Sequence, residues 1–164
     1  MSVRPAVVAG LFAAAIAGPL AFFLITMVPL VVLALPNAAE GSATMIPALA
    51  FFAMFAVVLG FVPGLLMAAV LLWGDRLRGR WDVSRRVAHL GLGAAVGAVW
   101  SAVVLGMHYG QGHAFAWALT GGWYAKWMLD ARADWGPPWL ELVILGAALA
   151  AGAVAGWAYE RLTA

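Results

Sequence analysis

Two histidines, His108 and His113, stand in the stretch MHYGQGHAFAWALTGGWYAKW (residues 107–127), and Asp130, Asp134 and Glu141 follow. Imidazole and carboxylate together form a donor set for a divalent transition metal, or the two halves of an acid–base pair. The spacing speaks against a helical metal site. Histidines five apart on one helix project about 140° from each other, whereas four apart share a face. A loop through Gly110 and Gly112 would have to fold them together. Loop histidines at a headgroup surface otherwise hydrogen-bond water and phosphate. His108, His113, Asp130, Asp134 and Glu141 therefore constitute the alternative site, on the external face, and no metal or other cofactor is expected. His89, one turn from a run of arginines, reads as an interface residue rather than a haem ligand, because no other span carries a histidine in its middle.

Nucleophiles fare no better. Covalent catalysis needs a hydroxyl or thiol with a base in hydrogen-bond reach. Ser42 and Ser84 fall in loops on opposite faces, and Ser101, with no motif around it, reads as a helix-packing hydroxyl. Asp130 and Asp134, four apart, have Arg132 between them and read as a solvated face. The chain has no cysteine, which excludes a disulfide, a thiolate ligand and covalently attached haem. The expectation is a protein without catalytic chemistry of its own.

Polar groups are scarce because the solvent of this chain is lipid. Of the 164 residues, 66% are hydrophobic and 10% charged, and mean hydropathy is +0.99. Charge-free runs cover residues 5–39, 41–74, 87–125 and 142–159, each near or beyond the roughly 20 residues of a spanning helix. The first run far exceeds the ~7–15 residues of a signal-peptide core and reads as a retained helix. Expected spans are 6–35, 45–74, 87–106 and 139–159, in a single transmembrane domain over residues 1–164.

Basic residues set the orientation, since they are retained on the cytoplasmic side. The loop DRLRGRWDVSRR carries Arg76, Arg78, Arg80, Arg85 and Arg86. With it inside, Arg4 and Arg161 also fall inside and only Lys126 and Arg132 fall outside, so both termini are expected in the cytoplasm of an inner (plasma) membrane. Two aspartates among five arginines make a poor nucleic-acid surface, and the loop reads as a contact for anionic headgroups. No nucleic-acid partner is expected.

The fold class expected is an all-α integral membrane protein: four spanning helices, with an interfacial or re-entrant helix in the external loop 107–138. The competing fold has five spans, the fifth over residues 114–129. That segment is short, is broken by Gly121-Gly122, and spreads aromatic rings along its length. Trp117, Trp123, Trp127 and Trp139 are expected to anchor at the interface, where an indole meets both lipid and water. Gly93 and Gly97, and Gly152 and Gly156, are small residues four apart and should let the third and fourth spans approach closely. Pro19, Pro29, Pro47 and Pro63 fall inside the first two spans. They open backbone carbonyls toward a ligand or, the favoured reading, bend a helix around a neighbour. The first two spans otherwise present bulky side chains suited to lipid or protein. Function follows as an accessory or interaction subunit of a membrane complex, or a small oligomeric carrier. Its partners are the bilayer and another membrane protein or a second copy. The alternative is a membrane enzyme or metal-binding protein using the external polar set.

Overall fold

The computed structural model describes residues 5–34, 42–78, 84–113, 116–117, 120–123, 125–126, 128–130 and 140–163. Four long helices make up nearly all of this: α1 (Pro5–Ala34), α2 (Ser42–Arg78), α3 (Arg85–Tyr109) and α4 (Leu140–Thr163). Each contains a stretch long and apolar enough to cross a membrane, namely Pro5–Met27, Ala53–Arg76, Arg85–Tyr109 and Glu141–Thr163. Large apolar side chains stand exposed along α2, with Val58 at 63% and Leu66 at 64%, beside Phe51, Met54, Phe55, Val62 and Trp73. Such a face requires a non-aqueous surround. Neither Pro19 nor Pro63 ends its helix. Lost backbone bonds are tolerated where neighbouring segments cover them, and the Pro19 ring lies directly on Gly60 of α2.

The helices alternate in direction and pack in the order α2, α1, α4, α3. The most extensive contacts join α4 to α3 and to α1, then α1 to α2, while α2 meets α3 far less. In the α3–α4 seam, Gly93 faces the carbonyl of Gly152 and Gly152 faces that of Gly93. Gly97 faces the carbonyl of Ala148, and Gly156 that of His89. A Cβ added at any of these four would lie within 2.9 Å of a carbonyl carbon across the seam. Here glycine is required by backbone approach, and carbonyl oxygens rest on the opposing Cα atoms. A second close crossing joins α1 to α2 at Gly60 and Gly64. A Cβ at Gly64 would meet Ala15 O at 2.5 Å. The first pair, expected to be bulky, is thus small-residued at this crossing, while Phe22, Phe23 and Leu71 are buried elsewhere along it.

Spans inferred from charge-free runs stop short of the helices at the end where the arginines lie. α2 continues past Gly74 through Asp75 to Arg78, and α3 begins at Arg85 with Ser84 as its N-cap, its hydroxyl accepting from Val87 N at 3.4 Å. A charge ends the hydrocarbon-compatible run but not the helix, so Asp75 and His89 remain on bundle-facing backbone.

The start of α1, the end of α2, the start of α3 and the end of α4 share one end of the bundle. Gly10 of α1 packs on Tyr159 and Thr163 of α4, and Arg85 of α3 reaches both Thr163 of α4 and Asp75 of α2.

The segment after α3 turns back into the bundle. The described backbone at 116–117 and 120 is helical, turns at Gly121 and Gly122, and is helical again up to Asp130. Trp100 Nε1 donates to Thr120 O at 2.7 Å. Trp100 lies nine residues before the end of α3, so this carbonyl sits about 13 Å below that end. Asp130 then lies 3.7 Å from His108, next to the end of α3. Both ends of the hairpin are thus at one end of the bundle. At its tip Gly121 adopts φ +60, and a Cβ there would meet Leu59 O at 2.6 Å, so only glycine fits both the turn and the approach to α2.

Candidate functional site

Three polar or concave features gather side chains from different helices. The first is at the arginine end. Asp75 of α2 accepts from Tyr159 Oη at 3.2 Å and from Arg85 Nη2 at 3.5 Å, while its other oxygen lies 3.1 Å from His89 Nε2. Arg85 is held in turn by Thr163, through its carbonyl at 2.9 Å and its hydroxyl at 2.6 Å. The His89 and Tyr159 rings meet edge to face, 5.1 Å between centroids at 68°. Three helices meet on one carboxylate. Helical periodicity accounts for part of this: Arg85 and His89 are four apart on one face of α3, as Tyr159 and Thr163 are on α4.

His89, expected at the interface, is instead 1% exposed and enclosed by protein. Distance from the arginines gives a residue's depth but not the direction it faces. Asp75 and Tyr159 carried no expectation. A signal existed nonetheless: Asp, His and Tyr each lie within about one turn of a span's arginine end, at common depth. Buried ionisable groups in spanning helices commonly mark a working site.

The second feature is a cavity of about 340 Å³ where α2 and α3 diverge. α2 contributes Phe55, Pro63 and Met67, and α3 contributes Val96 and Trp100. Phe22 of α1 and Ala151 of α4 line the back, and Thr120, Gly121 and Trp123 of the hairpin line the outer end. Its walls are apolar side chains and glycine backbone. The Thr120 hydroxyl is turned to Ala116 O at 2.9 Å, and the Trp100 indole N–H to Thr120 O.

The third feature is the polar set at the opposite end of the bundle. His108 and Asp130 come within 3.7 Å, and Lys126 pairs with Asp130 one turn away. His113 is exposed, and these two contacts do not include it. Glu141 belongs to a different contact, accepting from Tyr109 Oη at 2.7 Å. Among the described residues no group of three or more His, Asp or Glu side chains converges to hold a metal ion.

Of the expected interfacial anchors, Trp123 is partly exposed and borders the cavity, but Trp117 is 2% exposed. Its indole donates to Gly112 O at 3.1 Å inside the hairpin, with Lys126 5.9 Å over the ring. The turn at Gly121 folds this ring inward, which spacing alone does not reveal. Trp127, Trp139, Asp134, Arg80 and the Arg78 side chain lie outside the described residues. Arg76 and Arg86 are exposed beside half-buried Arg85, and Arg161 stacks on Trp157 at 5.7 Å at the same end.

The chain matches no family model, no curated protein and no solved structure. Its class rests on its own helices: four apolar segments suited to crossing a membrane.

Proposed function

We propose that this chain is a multi-pass inner-membrane protein that binds rather than reacts: a small carrier or accessory subunit holding the apolar chain of a lipid-like molecule between α2 and α3. The cavity carries the proposal. Its volume of about 340 Å³ sits at the small end of ligand pockets, roughly 300–1,000 Å³. Its lining offers dispersion contacts and two tryptophan rings but no free charge. A chain or ring dissolved in the bilayer matches such a wall, whereas an ion or sugar would lose its hydration there.

The hairpin fits this reading as a re-entrant segment. Non-spanning backbone at membrane depth is tolerated where protein buries it or where it lines a cavity, and this one does both. Counted along the sequence, seven basic residues flank the spans on the Arg85 side against two on the other, which supports cytoplasmic termini. The exposed face of α2 suits lipid, a larger membrane protein or a second copy.

The test is native mass spectrometry of the full chain extracted in mild detergent, with analysis of bound lipid. The expected result is one amphiphile enriched over the bulk membrane, and its loss when Ala56→Phe or Val96→Phe fills the cavity without touching the ion cluster. Bound lipid of bulk composition, unchanged in the filled variants, overturns the reading.

A further inference from the structure

We propose that Asp75, Arg85, His89 and Tyr159 form a proton-operated latch that closes α2 onto α3 at the arginine end. α2 meets α3 far less than α4 meets either α3 or α1. The cavity separates them at mid-depth, and on its outer side the hairpin, not α3, touches Leu59, Gly60 and Pro63. Below the cavity Leu92 packs on Gly74 and against the cluster that holds Ala68 and Leu71, and the carboxylate of Asp75 is received by α3 and α4.

The charge balance gives the direction. With a neutral imidazole, Asp75 and Arg85 cancel. The carboxylate then accepts from Arg85 and Tyr159 and faces His89, so its two oxygens are well supplied with donors. Among the described residues no other ionisable side chain faces the cluster: α2 adds exposed Arg76, α3 exposed Arg86, and α4 Glu160 and exposed Arg161 outside these contacts, while α1 presents Gly10. Uptake of one proton leaves the cluster with a net positive charge whichever group takes it. On His89 it sets an imidazolium near the Arg85 guanidinium, and on Asp75 it removes the anion that holds Arg85. The His89 side chain is 2% exposed while Asp75 and Arg85 keep about a quarter of theirs, so a net charge beside the imidazole is favoured only if more water reaches it. Moving the end of α2 away from α3 admits that water. The closed form is therefore the unprotonated one, and acidification opens the cleft below the cavity.

The latch does not depend on what occupies the cavity, so its test needs no ligand. The chain lacks cysteine, and Trp73→Cys with Val87→Cys places two labels on exposed positions at the ends of α2 and α3. Electron–electron distance measurements on the full chain in lipid nanodiscs, from about pH 8 to about pH 5, should give a distance that lengthens as pH falls. The change should follow protonation of the His89 ring, read by NMR with His108→Gln and His113→Gln removing the other two imidazoles. His89→Gln, which keeps an amide donor but does not titrate there, should hold the short distance at every pH. Asp75→Asn, which leaves Arg85 without its anion, should give the long distance at every pH. A wild-type distance constant across the range overturns the proposal, as does a His89→Gln protein that responds like wild type. Should Asp75→Asn not fold, these two measurements still decide.

Discussion

Replacing glycines one at a time on α3 and α4 separates backbone approach from every other reason for a glycine. At Gly93, Gly97, Gly152 and Gly156 an added Cβ would lie 2.7–2.9 Å from a carbonyl carbon across the seam. Ordinary carbon–carbon contact is about 3.5–4.0 Å. The axes must therefore part by about 1 Å locally. A gap of that size forfeits roughly a quarter to a half of each dispersion contact it opens, and overpacking of this kind costs on the order of 1–3 kcal/mol. Gly91 and Gly106 on α3 and Gly146 on α4 have nothing within 4 Å of the same added atom. Alanine improves helix propensity over glycine by up to ~1 kcal/mol at all seven positions. The difference between the two sets thus isolates the seam and should be about 1–3 kcal/mol per substitution. Because Gly93 and Gly152 face each other's carbonyls, the first Cβ opens the space that the second needs. The double variant Gly93→Ala/Gly152→Ala should cost clearly less than the sum of its parts. Reversible unfolding in mixed micelles, titrated with a denaturing detergent, measures both quantities. Seam variants as stable as Gly91→Ala and Gly146→Ala would refute backbone contact as the reason for these glycines.

Two further outcomes are expected. A reporter active only outside the cytoplasm should be silent when fused after Ala164 or inserted at Ser84 and active near Ser42; activity at the C-terminus would contradict the arrangement in which α1 and α4 meet at the arginine end. Gly121→Ala, which combines φ +60 with a Cβ 2.6 Å from Leu59 O, should destabilise by about 1–3 kcal/mol relative to Gly146→Ala in the same unfolding assay and expose Trp123 to an aqueous quencher.

The helices were legible because lipid solubility is written into composition: a run without charge of spanning length has few alternatives. Their ends were not, since Asp75 reads as loop when charge alone marks the boundary, although a helix carries charge readily past the hydrocarbon. The cluster on Asp75 was hidden for a different reason. Its members lie 10, 14 and 84 residues from Asp75 in sequence, and only helix rotation turns all of them inward. Gly60 and Gly64 show the small-residue spacing as plainly as Gly93 and Gly97 do. Pro63 between them points to a bend around a neighbour, and the neighbour is the crossing itself. For Gly121-Gly122 the sequence marked the break, but whether the chain entered or skirted the bundle depended on Trp100 and Leu59, residues from other helices.

A seam made of glycine has a mechanical character of its own. Lacking knobs that drop into holes, it presents little corrugation to resist one rod sliding along the other. The structure supplies the missing grip at the extremities: Arg85 to Thr163 at one end of the α3–α4 pair and Tyr109 to Glu141 at the other. A smooth bearing pinned at both ends behaves as a single beam. α2 stands off that beam, joined to it directly at its rim by a carboxylate and at mid-length by the tip of a hairpin, and otherwise carried by α1.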